Sequence, residues 1–117
     1  MINAKQELLD FIGRVNVPVK CATIQRTIPS DSLTDPDVFK EYNLPVNHDK
    51  DDYIYGFLES LDFEYNNGYG EQELYGTIWF EDGTWAERWE YDGSEGWKLV
   101  MLPQIPLYLK LKKTIAI

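Results

Sequence analysis

The stretch YGTIWFEDGTWAERWEYDGSEGW, residues 75–97, carries all four tryptophans of the chain, and its folding decides the architecture. Its residues alternate between apolar and polar on both sides of EDGT, the pattern of half-buried strands. Asp-Gly suits a two-residue type I′ turn, because both central positions of that turn need positive φ. With Asp82-Gly83 at the tip, Phe80 pairs with Trp85, Ile78 with Glu87, Gly76 with Trp89, and Leu74 with Tyr91. Cross-strand partners share a face, so these eight form one surface that is apolar except for Glu87. That surface is expected to be core, with Gly76 making room for the Trp89 ring. The opposite surface then carries Tyr75, Thr77, Trp79, Ala86, Arg88 and Glu90.

WKLVML supplies a third strand. A five-residue DGSEG loop pairs Tyr91 with Trp97, Glu90 with Lys98 and Trp89 with Leu99. A tight Asp92-Gly93 turn instead sets Glu90 against Glu95 and Arg88 against Trp97. Opposed like charges are unfavourable, so the longer loop is expected.

Upstream, NAKQELLDFIGRV reads as a helix. Asn3 caps it with Gln6 three residues on, and Leu8, Leu9, Ile12 and Val15 form its apolar face beside Phe11. VPVKCATIQRTI reads as a strand entered through Pro18, with Cys21 as a small core residue. Asp35-Pro36 has the spacing of a cap and a first-turn proline, which predicts a short helix through Tyr42. DKDDYIYGFLESL predicts a second long helix, with acids in the first turn and Tyr53, Ile54, Phe57, Leu58 and Leu61 as its buried stripe. The tail LYLKLKKTIAI alternates apolar and basic residues and reads as a further strand or a flexible end. The expected fold is α+β: one domain over residues 1–117, an antiparallel meander of about four strands, and two main helices on one face.

At 117 residues the chain suffices for one core, and apolar and aromatic contents of 44% and 15% mark a globular protein. No membrane span or secretory leader is legible, so a cytoplasmic protein is expected. The single Cys21 allows no internal disulfide. Charge is segregated within the net −9. Residues 1–30 hold four bases and two acids, residues 31–97 hold 18 acids and three bases, and residues 98–117 hold four lysines and no acid. The acidic middle repels nucleic acid and attracts basic protein surfaces.

Candidate chemistry is sparse. His48 beside Asp49, Asp51 and Asp52 lacks the glycine turn and distant Glu of a calcium loop, and reads as an acid-decorated helix start. Cys21 has no base nearby in sequence. Glu87, placed against Trp85 and Trp89, is expected to have a raised pKa, the setting of an acid catalyst. It lacks a second carboxylate across a cleft, and pairing with Arg14 or Arg26 is the structural alternative. No cofactor and no metal site are expected. Tyr75 and Trp79 either form an exposed platform or lie under a helix.

The run LYGTIWFEDGTWAERWEYDGSEGWKLVMLPQIP resembles a family of small uncharacterised proteins of tailed phages and prophages. GTIWFEDGTW, Arg88, EYDGSE, Trp97 and the closing Pro103-x-Ile-Pro106 carry the resemblance, which covers about a third of the chain. Trp89 stands where the family pattern has Gly, and Gly96 where it has Trp. The resemblance implies a phage accessory protein in a bacterial cytoplasm and carries over no catalytic residues. With the charge pattern, it leads to a non-enzymatic protein that inhibits or redirects a host protein by docking on a basic surface, a host defence nuclease complex and imitation of DNA's charge being its sharpest forms. Asp49, Asp51, Asp52, Glu81, Asp82, Asp92 and Glu95 are the expected acidic contacts and Tyr75 and Trp79 the anchors. A glycan-binding or glycan-cleaving module built on the tryptophans and Glu87, and an assembly role in a phage particle, are the alternatives.

Overall fold

A computed structural model describes residues 1–30, 32–46, 51–68, 70–102 and 106–109. Among these described residues, seven strands and two α-helices follow one another as β1 (Ile2–Asn3), α1 (Ala4–Val15), β2 (Val19–Ile28), β3 (Val38–Leu44), α2 (Asp51–Ser60), β4 (Glu64–Tyr65), β5 (Leu74–Phe80), β6 (Trp85–Tyr91) and β7 (Ser94–Val100), before a short 3₁₀ turn at Leu107–Leu109. Strands β3-β2-β5-β6-β7 form one antiparallel sheet, and β1 pairs with β4 in a second, two-stranded one. The α+β class, the meander and the two helices are as the sequence led one to expect. The expected tail strand falls largely on residues 110–117, outside the described residues.

Helix α1 starts where the cap predicts: the Gln6 amide donates to Asn3 Oδ1 at 2.9 Å, satisfying one of the donors left over at the first turn. The Gln6 side chain reaches forward to Asp10 rather than back to the cap. Asn16, at φ 56°, ends the helix in the left-handed conformation that asparagine tolerates. Ala4, Leu8 and Phe11 are buried, while Leu9 is partly exposed on the flank of the predicted stripe. On α2, Phe57 is buried, as is Leu61 just after the helix, whereas Tyr53 turns outward. The helices cover one face of the large sheet. Their buried residues form a single core with Ala22, Ile24, Leu44, Leu74, Ile78, Phe80 and Ala86. Each fully buried aliphatic or aromatic side chain contributes about 1.5–3 kcal/mol.

Residues 38–44 form a strand, not the helix expected through Tyr42. Seven residues pair with β2, from Ala22 opposite Leu44 to Ile28 opposite Val38. Val38, Phe39 and Tyr42 favour extended backbone, and the ladder with β2 satisfies amides that a short isolated helix would leave to water. Pro36 therefore precedes a strand. Tyr42 packs on the Phe63 ring at 5.9 Å, and the Arg26 guanidinium lies 3.7 Å from the same ring.

Both registers differ from expectation, and in opposite senses. At the β5–β6 turn the Phe80 amide donates to the Thr84 carbonyl at 2.9 Å, and the Gly83 amide to the Phe80 carbonyl at 3.2 Å. The loop is thus three residues, Glu81-Asp82-Gly83, with Gly83 at φ 87°. This is the turn-plus-bulge hairpin that places glycine in the left-handed position after two turn residues. Asp82 Oδ1 fixes it by accepting the Thr84 amide at 3.0 Å and the Thr84 hydroxyl at 2.6 Å, which holds the Asp82 carboxyl below its usual range. Thr77 therefore faces Glu87, Ile78 faces Ala86 and Trp79 faces Trp85. At β6–β7 the reverse holds. Asp92 (φ 51°) and Gly93 (φ 84°) form the tight turn with two positive-φ residues, so that Arg88 faces Trp97 and Glu90 faces Glu95.

A one-residue slip moves a whole strand's side chains to the other face. Ala86 and Arg88 consequently point into the core, while Trp85, Glu87 and Trp89 join Tyr75, Thr77 and Trp79 on the uncovered face. The like-charge objection to this register does not arise. Glu95 turns to Arg88, and Glu90 accepts the Gly93 amide at 3.1 Å.

Gly76 accommodates backbone rather than an indole ring. At φ 143°, a Cβ on it would stand 2.3 Å from the Thr23 carbonyl oxygen of β2. Gly96 is the position that receives Trp89: a Cβ there would meet three adjacent indole atoms at 2.9–3.0 Å.

Candidate interaction surface

The uncovered face of the sheet is built by alternation on five strands. β5 contributes Tyr75, Thr77 and Trp79, and β6 contributes Trp85, Glu87 and Trp89. The register lines these up with their neighbours in rows across the sheet. Asn43, Thr23, Thr77, Glu87 and Lys98 form one polar row. Cys21, Trp79, Trp85 and Val100 form the next. Cys21 is thus half-buried on this face rather than in the core.

Local hydrogen bonds hold the surface in place. The Trp85 indole N–H donates to Glu87 Oε1 at 2.9 Å, the Thr23 hydroxyl donates to Asn43 Oδ1 at 2.7 Å, and Asn43 Nδ2 donates to Glu41 at 3.0 Å. Tyr75 donates its hydroxyl to the Gln72 carbonyl at 3.3 Å. Among the described residues no helix covers the two expected anchors: Tyr75 is 45% exposed and Trp79 41%. Trp89, which the expected register put in the core, is 38% exposed beside them.

The expected acidic contacts separate into groups. Glu81 and Asp82 are exposed at the β5–β6 turn, and Asp92 is exposed at the β6–β7 turn, the opposite end of the same strands. They rim the aromatic centre from both ends. Asp51 and Asp52 open α2, on the covered side of the sheet, and their side chains lie outside the described structure. Asp49 and His48 lie outside the described residues.

Glu95 is no surface residue. It is 3% exposed and anchors a buried network. Its Oε2 accepts the Glu73 amide at 2.8 Å, and its Oε1 accepts the Leu74 amide at 3.1 Å and Arg88 Nη2 at 2.6 Å. Arg88 Nη2 also donates to the Tyr65 hydroxyl at 2.9 Å, and Nη1 donates to Glu7 Oε1 at 3.1 Å. The Tyr65 hydroxyl in turn donates to Glu7. Burial first, then the hydrogen bond to Glu7, raises the Tyr65 phenol above its ordinary range. Arg88 is raised too, because Tyr65 and Glu7 outweigh the burial that would lower it. This network ties α1, β4, β5, β6 and β7 together around a guanidinium whose side chain is 2% exposed.

Glu87 does not sit in the desolvated pocket that an acid catalyst needs. It lies on the open face between Thr77 and Lys98, bonded to Trp85, and pairs with neither Arg14 nor Arg26. Among the described residues, no helix is long and apolar enough to cross a membrane.

Sequence reasoning missed Trp85, Trp89 and Glu87 as members of this surface and Arg88 as the centre of the buried network. Two signals pointed to them: Thr84 after Asp82-Gly83, which completes the three-residue loop, and an Arg and a Glu seven residues apart that the tight Asp92-Gly93 turn brings together. No protein-family model, no curated protein and no solved structure matches the chain.

Proposed function

We propose that this chain is a non-enzymatic binding protein that inhibits or redirects a partner by docking the uncovered sheet face on a basic protein surface. One observation carries the reading. Two aromatic side chains on the central strand β5, Tyr75 and Trp79, are each more than a third exposed on the uncovered face, and Glu81, Asp82 and Asp92 stand at the turns before and after the neighbouring strand β6. Aromatic anchors inside a charged rim are how a protein contact combines affinity with partner choice. The net charge of −9 favours a cationic partner and opposes direct contact with nucleic acid. Resemblance of the 74–106 run to phage proteins supports a bacterial host protein as the partner and an accessory role in infection, with the basic, nucleic-acid-handling surface of a host defence nuclease complex as the target that fits the charge.

The test is affinity capture from bacterial lysate with the wild-type chain, with Trp79→Ala, and with Glu81→Lys, Asp82→Lys and Asp92→Lys combined. Trp79→Ala is expected to weaken capture by about 2 kcal/mol or more while costing about 1 kcal/mol or less of folding stability. The charge-reversed chain should lose its partner, and raising salt should weaken the wild-type complex. A partner that all three chains retain equally refutes the reading.

A further inference from the structure

A second site opens beside the edge of β7, distinct from the middle of the open face. A cleft of about 410 Å³ lies between α1, the Asn67-Gly68 turn and the start of β7, with Glu7, Arg14, Asn67, Trp89, Gly96 and Trp97 on its walls. That volume is in the range of small-molecule sites, roughly 300–1,000 Å³. We infer that this cleft binds a single uncharged sugar ring, stacked on Trp89.

Three features of the cleft lead to that ligand class. The first is the platform. Three adjacent atoms of the Trp89 indole lie equally close to where a Gly96 Cβ would be, so the ring lies face-on against the Gly96 backbone. Trp89 lines the cleft and remains 38% exposed, so part of the ring away from Gly96 is accessible. A flat, rigid, accessible indole suits the C–H face of a pyranose.

The second is the charge balance. Both carboxylates at the cleft, Glu7 and Glu95, are engaged by Arg88, and Glu95 also holds two backbone amides. Neither can take a cation without giving up a buried guanidinium, a costly exchange. Arg14, two turns along α1 from Glu7, makes no ion pair with a described residue, but it is exposed and belongs to a chain of net charge −9, which disfavours anions. The ligand that fits is neutral.

The third is the hydrogen-bonding supply. Glu7 Oε1 takes the bonds from both Arg88 and Tyr65, which leaves Oε2, on a side chain 12% exposed, to accept from a hydroxyl. The Asn67 amide and the Arg14 guanidinium stand on the same walls, offering donors to further hydroxyls.

Titrating the full-length protein with glucose, galactose, mannose, rhamnose and N-acetylglucosamine, read by indole fluorescence and calorimetry, tests the inference. At least one of these should saturate the protein. Trp89→Ala should weaken that sugar about tenfold, and Trp89→Tyr, which keeps a ring, should weaken it less. Trp79→Ala, on the open face, should leave the affinity unchanged. Salt should leave it unchanged too, unlike the protein contact proposed above, so the two sites fail or hold separately. No saturation by any of the five sugars overturns the inference. So does binding that a folded Trp89→Ala chain retains in full, or tighter binding of glucuronate or glucosamine than of the neutral sugars.

Discussion

The two faces of the five-stranded sheet invert the usual distribution of residue types. Under the helices, among Leu74, Ile78, Phe80 and Ala86, lies a full guanidinium–carboxylate network; on the side open to solvent stand three of the four tryptophans. The covered face spends its polar groups on each other and on backbone amides, the condition under which buried charge is tolerated. The open face holds its large rings by indole-to-carboxylate and ring-to-glycine contacts local to the sheet. Burial alone therefore does not sort these residues. Which face of its strand each occupies does, and two turns fix that.

Removing Arg88 breaks the comparison most severely. Arg88→Ala leaves Glu7 and Glu95 buried without their cation and is expected to cost about 3–5 kcal/mol in urea unfolding. Adding Glu7→Gln to Arg88→Met should recover part of that loss, because the uncompensated charge, more than the missing bonds, is what destabilises. If Arg88→Ala unfolds at the wild-type midpoint, the network is no anchor of the covered face.

Gly76 comes next. Its positive φ and its approach to the Thr23 carbonyl admit no Cβ, so Gly76→Ala should cost about 3 kcal/mol by separating β2 from β5. A neutral substitution there would place the contact between the two strands elsewhere.

The buried phenol gives a pH signature. Because Tyr65 stays protonated in the folded chain at a pH where the unfolded one ionises, the unfolded state binds fewer protons above about pH 10 and stability falls from there upward. Ultraviolet titration of the eight tyrosines should show one that ionises only on unfolding, and Tyr65→Phe should remove it. All eight titrating together in the folded chain would contradict the burial.

The gentlest probe is on the open side. Gly96→Ala pushes the Trp89 ring off its seat at a cost of about 1–2 kcal/mol, and should red-shift indole emission as the ring moves toward water. Unchanged emission would mean that Trp89 does not rest on Gly96.

Elements written in local residue chemistry were legible from the chain. Asn3 announced its cap, the 3.6-residue spacing of Leu8, Phe11, Phe57 and Leu61 announced two helices, and the alternation around Trp79 announced strands. What failed depended on partners. Asp35-Pro36 looked like a helix start because nothing local revealed that β2 would offer seven residues a ladder. Tyr75 and Trp79 were legible as sharing a face but not as exposed, because local sequence does not say which face the helices cover; Trp89 was placed on the wrong face, since its exposure follows from a loop one residue longer than Asp-Gly suggested. Glu95 read as surface acid because its cation, Arg88, looked unavailable in the favoured register.

By itself, then, the sequence determined an acidic α+β chain with a tryptophan-rich meander, because helix spacing, strand alternation and net charge are properties of neighbours along the backbone. Only the tertiary structure decided which row of that meander faced water. Strand side chains repeat every two residues, so a shift of one at Gly83 exchanges inside for outside, and that shift is settled by what packs across the sheet: Ala86 and Arg88 against the helices, with a carboxylate waiting for the guanidinium.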